Sequence, residues 1–329
     1  MKKLIKEITS VFGPSGDEEK IRKYIKKQIN NYVDNVYEDN LGNLIAVKKG
    51  KSNGKKIMFA AHMDQIALMI THIDEDGFLR FTNVGGVGHN FLPGTPIVFA
   101  DGTIGTIGVE KLENINDLEM SKLYIDIGAN NQQEAEKIVG IGDTAIYAPN
   151  FSENNNRVIS NYHDDRIGCV VLIEAIKNIQ DNNNELYFVF STQEEVGLRG
   201  AKTAAYQIEP DIGIAVDVTA TGDTPESHIM DVSLGEGAAI KIKDNSTITH
   251  PLVKDLLIKE CKNNSINYQF EVLEFGGTDA GAIHLTKGGI PSGTISIPTR
   301  YVHTPTEMVD LSDVKASIEL VTALSKSIF

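Results

Sequence analysis

Four short runs of branched and aromatic residues constrain this chain most, because each reads as a buried strand and each leads out onto His, Asp or Glu. Ile57-Met-Phe-Ala-Ala61 runs into His62-Met63-Asp64, and Ile212-Gly-Ile-Ala-Val216 into Asp217. Glu185-Leu-Tyr-Phe-Val-Phe190 precedes Ser191-Thr-Gln-Glu-Glu-Val-Gly, which carries Glu194 and Glu195. Thr294-Ile-Ser-Ile297 is followed by Pro298 and then Arg300-Tyr-Val-His303. In open α/β sheets, ligands bind beyond the carboxyl ends of the strands, which is where these side chains fall. A single acidic pair reads most simply as a solvated turn. Four such endings on one chain do not.

A fifth segment adds to the set. Asn161-Tyr-His-Asp164-Asp165-Arg-Ile-Gly168 leads into Cys169-Val-Val-Leu-Ile-Glu-Ala-Ile176, an apolar helical pattern. An Asp at a helix start has an ordinary role in capping free N–H groups, so one of Asp164 and Asp165 need do no more. Two imidazoles and three carboxylates nonetheless make a suitable ligand set for two divalent cations sharing one carboxylate. Paired cations acidify water and polarise a carbonyl oxygen. A free carboxylate beside them can take a proton from that water and return it to a leaving amine. Adjacent residues in extended backbone diverge, so one of Glu194 and Glu195 can bind metal while the other faces the water. Asp64, two residues from His62, is placed to accept the second imidazole N–H and orient the ring.

Taken together, the segments resemble the M42 family of metallo-aminopeptidases, which includes proteins labelled glutamyl aminopeptidase and endoglucanase M. The resemblance rests on Ala61-His-Met-Asp64, Asp164-Asp-Arg-Ile-Gly168, Gln193-Glu-Glu-Val-Gly-Leu-Arg-Gly-Ala201, Asp217-Val218, Gly276-Gly-Thr-Asp-Ala280 and Arg300-Tyr-Val-His-Thr-Pro-Thr-Glu307. These run in family order along nearly the whole chain. The resemblance implies that His62, Asp164 and Asp217 hold one metal and that Asp164, Glu195 and His303 hold another. Glu194 then serves as general base and acid, with Asp64 as a second catalytic residue. In related di-metal peptidases a cis peptide follows the bridging Asp. The bridge is assigned to Asp164 on that ground, with Asp165 as the alternative. Where many family members continue with Glu, then Ile or Val and Gly, this chain has Gln65-Ile66-Ala67. Neither departure is at an implied ligand. A lost carboxylate there bears on proton affinities and substrate preference.

The expected fold is α/β: a mixed-sheet peptidase domain flanked by helices, with a small β-barrel-like domain inserted. Helical patterns occupy Leu4 to Phe12 and, past Gly13-Pro14, the residues from Asp17 with Ile21, Tyr24, Ile25 and Ile29 on one face. Between about Thr71 and Asn156 short alternating strands replace them, and Asp101-Gly102 marks a hairpin. The expected division is therefore 1–70 with 157–329 as the catalytic domain and 71–156 as the insert. By resemblance the insert makes subunit contacts, building a homo-oligomer expected to be a dodecamer. Gly276-Gly277-Thr278-Asp279-Ala280-Gly281 lacks the ending of a phosphate loop. It reads as a substrate wall formed by Gly277, Thr278 and Asp279, or as a plain turn. Arg300 either touches substrate or pairs with a carboxylate.

Composition sets outer limits. The formal net charge of −14 argues against nucleic-acid binding. Lys6 and Glu7 interrupt any signal-peptide core, and no apolar run is long enough to cross a bilayer. Two cysteines, Cys169 and Cys261, lie in apolar helical patterns and are expected as packed free thiols in a cytoplasmic protein. The expected activity is removal of N-terminal residues from short peptides, with two divalent ions (Zn, Co or Mn) per subunit. The competing readings are a di-metal deacylase of N-acyl amino acids, a non-catalytic scaffold, and a glycanase, which would use two carboxylates and no metal.

Overall fold

The computed structural model describes residues 1–50 and 54–327. The chain opens with helices α1 (Lys2–Thr9) and α2 (Glu19–Ile29), followed by strands β1 (Asn35–Glu38), β2 (Leu44–Lys48) and β3 (Lys56–His62). Six strands then form a separate group: β4 (Ala67–Ile73), β5 (Leu79–Val84), β6 (Pro96–Phe99), β7 (Ile104–Val109), β8 (Leu123–Asp126) and β9 (Thr144–Tyr147). The short helix α3 (Gln132–Ala135) precedes β9. After β10 (Phe151–Asn154) and β11 (Arg157–Ser160), helices and strands alternate: α4 (His163–Asn178), β12 (Glu185–Ser191), α5 (Arg199–Ile208) and β13 (Ile212–Thr219). The remainder is β14 (Ala238–Lys243), α6 (Pro251–Asn264), β15 (Tyr268–Val272), α7 (Ala280–Ile283), β16 (Ser292–Arg300), β17 (Glu307–Asp310) and α8 (Leu311–Leu324).

Strands β12, β3, β13 and β16 lie side by side and parallel at the centre of an 11-stranded mixed sheet. Parallel strands are covered on both faces, which explains their unbroken apolar runs. All eight residues of β13 are buried, as are six of the seven in β3. Side chains alternate between the two faces. Ile57, Phe59 and Ala61 of β3 join the core beneath α4 and α8, whereas Met58 and Ala60 pack with Ala201, Ala204 and Ala205 of α5. On the first face Phe59 stacks on Phe188 with ring centroids 5.4 Å apart.

The other six strands close into an antiparallel barrel in the order β4-β5-β8-β7-β6-β9. Closure leaves no free strand edge. Leu68, Ile70, Phe81, Ile97, Ile107, Ile125 and Ile146 fill it, forming a hydrophobic core apart from that of the sheet. The expected hairpin joins β6 to β7: Gly102, at φ +96, donates its N–H to the Phe99 carbonyl at 3.0 Å. The α/β body with an inserted barrel agrees with the expected fold class. Strands β10 and β11, which follow the barrel, pair back into the large sheet beside β17. Cys169 and Cys261 are buried free thiols. Among the described residues no helix is long and apolar enough to cross a membrane.

Phe188 is fully buried and touches Phe59 across two parallel strands. Phe188→Ala is expected to lower the free energy of unfolding by about 3–5 kcal/mol through the cavity it leaves. The measurement is the urea midpoint, which should fall at unchanged slope.

Candidate metal centre

Because the central strands are parallel, their carboxyl ends deliver side chains to one edge of the sheet. His62 is the last residue of β3 and is 2% exposed. Its Nδ1 lies 3.2 Å from the Asp64 carbonyl oxygen and 3.5 Å from the Asp64 carboxylate. That leaves Nε2 directed into a group of acids: Asp164 Oδ1 at 3.0 Å, Glu194 Oε2 at 3.8 Å and Asp217 Oδ1 at 4.0 Å. His303 enters from the turn between β16 and β17. Its Nδ1 lies 2.9 Å from the Gly86 carbonyl, and its Nε2 lies 3.0 Å from Asp164 Oδ2 and 3.4 Å from Glu195 Oε1.

Asp164 thus turns one oxygen to each imidazole. Asp165, joined to it by a cis peptide, is engaged differently. Its Oδ2 accepts the His62 N–H at 3.1 Å and its Oδ1 the Gly168 N–H at 3.0 Å. Two trios nevertheless bring one ligand atom each to within 4.8 Å of one another: His62 with Asp164 and Glu195, and His62 with Asp165 and Asp217. Glu194 and Glu195 do diverge, toward His62 and His303 respectively, but not through strand alternation. Strand β12 ends at Ser191, and Gln193 takes φ +53, so a left-handed residue stands between the strand and both glutamates.

The electrostatics of this edge call for cations. Burial raises the Glu194 carboxyl well above its usual range, and Asp217, Asp279 and Glu195 add to the shift. Burial, then Asp164 and Asp279, pushes Asp217 up to about 8, against the opposing pull of His62 and Lys241. Burial also acts against the charge on His303, yet Glu195 and Asp164 hold its imidazole up at about 12. Crowded carboxylates in a low dielectric repel one another, and two imidazoles cannot balance them. Buried Glu195 Oε1 and Asp279 Oδ1 also lack any hydrogen-bond partner. Imidazole nitrogens and carboxylate oxygens of this kind suit divalent ions, whose charge offsets the repulsion. The residues present therefore fit a metal.

The remaining expected residues fall at different distances from this group. The Asp279 carboxylate is 2% exposed, accepts the Ser191 hydroxyl and is pushed up to about 6, chiefly by burial. Thr278 Oγ1 pairs with Thr294 Oγ1 at 3.0 Å. A Cβ on Gly277 would meet Ser246 at 2.9 Å, so glycine permits that close approach. Arg300 is engaged by Asp223 through Nε and Nη2 at 2.9 and 2.7 Å.

Two contributors escaped the sequence reading. Glu307, 1% exposed, accepts the His303 N–H at 2.8 Å and the Asp164 N–H at 3.0 Å, clamping two candidate ligands by their backbone. Burial and Asp164 raise its carboxyl to about 8. Gly86 supplies the carbonyl that orients His303, and a Cβ there would fall 2.5 Å from Nδ1. The Gly85-Gly86 pair was a visible signal for the latter. Glu307 lay in a recognised segment with nothing to mark its carboxylate as a clamp.

Comparison with known proteins identifies the family. The family model for M42 glutamyl aminopeptidase matches residues 42–320. A putative aminopeptidase of Acetivibrio thermocellus is 55% identical over 96% of each chain. Among solved structures, an aminopeptidase from the archaeon Desulfurococcus kamchatkensis is 38% identical, with a TM-score of 0.96 over 99% of this chain and 94% of that one. The TET1 peptidase of Pyrococcus horikoshii, described as able to assemble into a tetrahedron or a large octahedral shell, is 35% identical, with a TM-score of 0.89 over 99% of each chain. This chain belongs to the M42 glutamyl aminopeptidase family.

Proposed function

We propose that this protein is a co-catalytic di-metal aminopeptidase that removes N-terminal residues from short peptides. The observation that carries the reading is the Asp164 carboxylate, with one oxygen 3.0 Å from His62 and the other 3.0 Å from His303, beside the half-buried Glu194. His62, Asp164 and Asp217 would hold one divalent ion (Zn, Co or Mn), and Asp164, Glu195 and His303 a second. Bound there, such ions supply the acidification of water and the polarisation of a carbonyl that amide hydrolysis needs. Asp165 is left out of the set because both its oxygens are taken by backbone N–H groups.

The chain's own residues provide orientation and proton transfer. Each Nδ1–H donates to a backbone carbonyl, that of Asp64 for His62 and that of Gly86 for His303, which orients the rings and leaves each Nε2 lone pair free for a metal. Asp64 also accepts the N–H groups of Glu194 and Glu195, so its role is to place the base. Glu194 takes the proton of the attacking water and delivers it to the departing amine. Gly277, Thr278 and Asp279 form the wall against which the peptide lies. Arg300 supports the site through Asp223 rather than by contact with substrate.

The TET1 peptidase can assemble into a tetrahedron or a large octahedral shell, and this chain is proposed to be a homo-oligomer as well, a dodecamer held by contacts of the barrel region 71–156. The exposed Ile104, Ile115 and Ile141 of that region fit such contacts. Two buried thiols with no disulfide fit a cytoplasmic setting.

A chelator is expected to abolish hydrolysis of aminoacyl anilides, with activity returning on addition of Zn, Co or Mn. Full activity in protein that elemental analysis finds free of transition metal would refute the mechanism. Preferential hydrolysis of N-acyl amino acids would replace it with a deacylase.

Glu194→Gln keeps the shape of the side chain and removes the proton acceptor. It should bind metal normally yet turn over at least about a hundredfold more slowly. Glu195→Gln should instead lose metal, with activity partly recovered at high metal concentration. A reversal of the two phenotypes in a metal titration would exchange the assigned roles.

Light scattering should report a particle close to twelve times the 35.9 kDa chain mass. A stable monomer or dimer at every ionic strength and metal loading would contradict the assembly.

A further inference from the structure

The segment that carries the two glutamates, Thr192–Glu195, is held by side chains rather than by a neighbouring strand. Four consecutive N–H groups donate to three of them. Thr192 donates to Asn43 Oδ1 at 3.0 Å, Gln193 to Glu18 Oε1 at 3.2 Å, Glu194 to Asp64 Oδ1 at 3.0 Å and Glu195 to Asp64 Oδ2 at 3.2 Å. All three acceptors are buried: Glu18 is 4% exposed, and Asn43 and Asp64 not at all. Gln193 is the residue that most needs such a hold, because it is not glycine and yet stands at φ +53. Strained backbone persists where its surroundings determine it.

Glu18 reaches this segment from the turn before α2, 175 residues away in sequence. The turn is itself rigid. Glu18 Oε1 also accepts the Gly16 N–H at 2.7 Å, and the Ser15 hydroxyl donates to Asp64 Oδ2 at 2.6 Å. Behind it the fully buried Arg166 guanidinium donates to the carbonyls of Ile8, Val11 and Gly13. Phe12 is anchored in the barrel core. The carboxylate of Glu18 is therefore a fixed acceptor placed one residue before the proposed base.

We infer that Glu18 is a positioning residue for the base, holding Gln193 in its left-handed conformation so that the Glu194 carboxylate points at the reacting water. The inference rests on the reading of Glu194 as general base. Without that acceptor the Gln193 N–H is unpaired, its φ relaxes, and the Glu194 side chain loses its aim. Glu18 is neither a proposed metal ligand nor part of the proposed substrate wall, and its carboxylate is engaged by the Gly16 and Gln193 N–H groups, so the defect falls on turnover and not on binding.

The test uses the assembled, metal-loaded protein and four variants assayed with aminoacyl anilides. Glu18→Ala should lower kcat by about 10- to 100-fold, the scale of a small misplacement of a reacting group, with KM, metal content and particle mass unchanged. Amide hydrogen exchange over 192–195 should quicken. Glu18→Gln, which retains an oxygen acceptor, should restore most of the turnover. In the Glu194→Gln background, Glu18→Ala should cause no further loss, because the group it aims is already gone. Equal damage by Glu18→Gln and Glu18→Ala, a multiplicative loss in the double variant, or normal turnover in Glu18→Ala beside a slow Glu194→Gln would each overturn the inference. Normal turnover in Glu194→Gln would overturn the base reading and this inference together.

Discussion

Crowding of carboxylates around two imidazoles is the constraint on which the rest of the structure turns. Asp64, Asp164, Asp165, Asp217, Asp279 and Glu307 are buried, and Glu194 and Glu195 half-buried, around the carboxyl edge of the parallel strands, where they surround His62 and His303. Charges withdrawn from water are tolerated only when paired, hydrogen-bonded or bound to metal. Here some are satisfied within the protein. Asp165 and Glu307 are occupied by backbone N–H groups, and Asp64 by Ser15 and the N–H groups of Glu194 and Glu195. Asp164, by contrast, turns one oxygen to each imidazole, and Glu194 and Glu195 approach His62 and His303. The division of labour among chemically identical side chains is thus set by their hydrogen-bond partners.

A rigid support is needed to keep so many like charges in place. The parallel strands β3, β12, β13 and β16 furnish it, pinned on one face by α4 and α8 and on the other by α5. Helix α4 has 13 buried residues among its 16, so the Asp164-Asp165 pair at its start is joined to an element packed on nearly every side. The barrel is not a bystander to the site. Its Gly85-Gly86 segment passes close enough to His303 to orient the ring by a carbonyl, and any Cβ at Gly86 would close that gap. Phe12, in the segment that carries Ser15 and Glu18, lies in the barrel core. Both contacts tie the geometry of the metal centre to the seating of the barrel.

Much of this was legible in the residues alone. The strand-end pattern picked out His62, Glu194, Glu195, Asp217 and His303, side chains that the fold brings to one edge of the sheet, because an apolar run that leads onto a polar ending is a local signal. The hairpin at Asp101-Gly102 and the two N-terminal helices were legible for the same reason: turn chemistry and helical periodicity are written in neighbouring residues. Local reading failed where two neighbours share one chemistry. Asp164 and Asp165 are indistinguishable until the N–H groups of His62 and Gly168 are seen to occupy the second of them. The extended strand invoked for the divergence of Glu194 and Glu195 also ends at Ser191, before both residues.

The sequence by itself determined the fold class, the edge of the sheet where chemistry collects and the kinds of ligand atom that gather there. All of these follow from periodicity and residue type over a few positions. Tertiary structure alone decided which oxygen faces which imidazole, that Glu307 clamps His303 and Asp164, that Asp223 engages Arg300, and that Glu18 reaches Gln193. Except for the Glu307–His303 contact, which spans four residues, each joins residues far apart in the chain over about 3 Å. A hydrogen bond depends on distance and angle at that scale, which only the packed fold supplies.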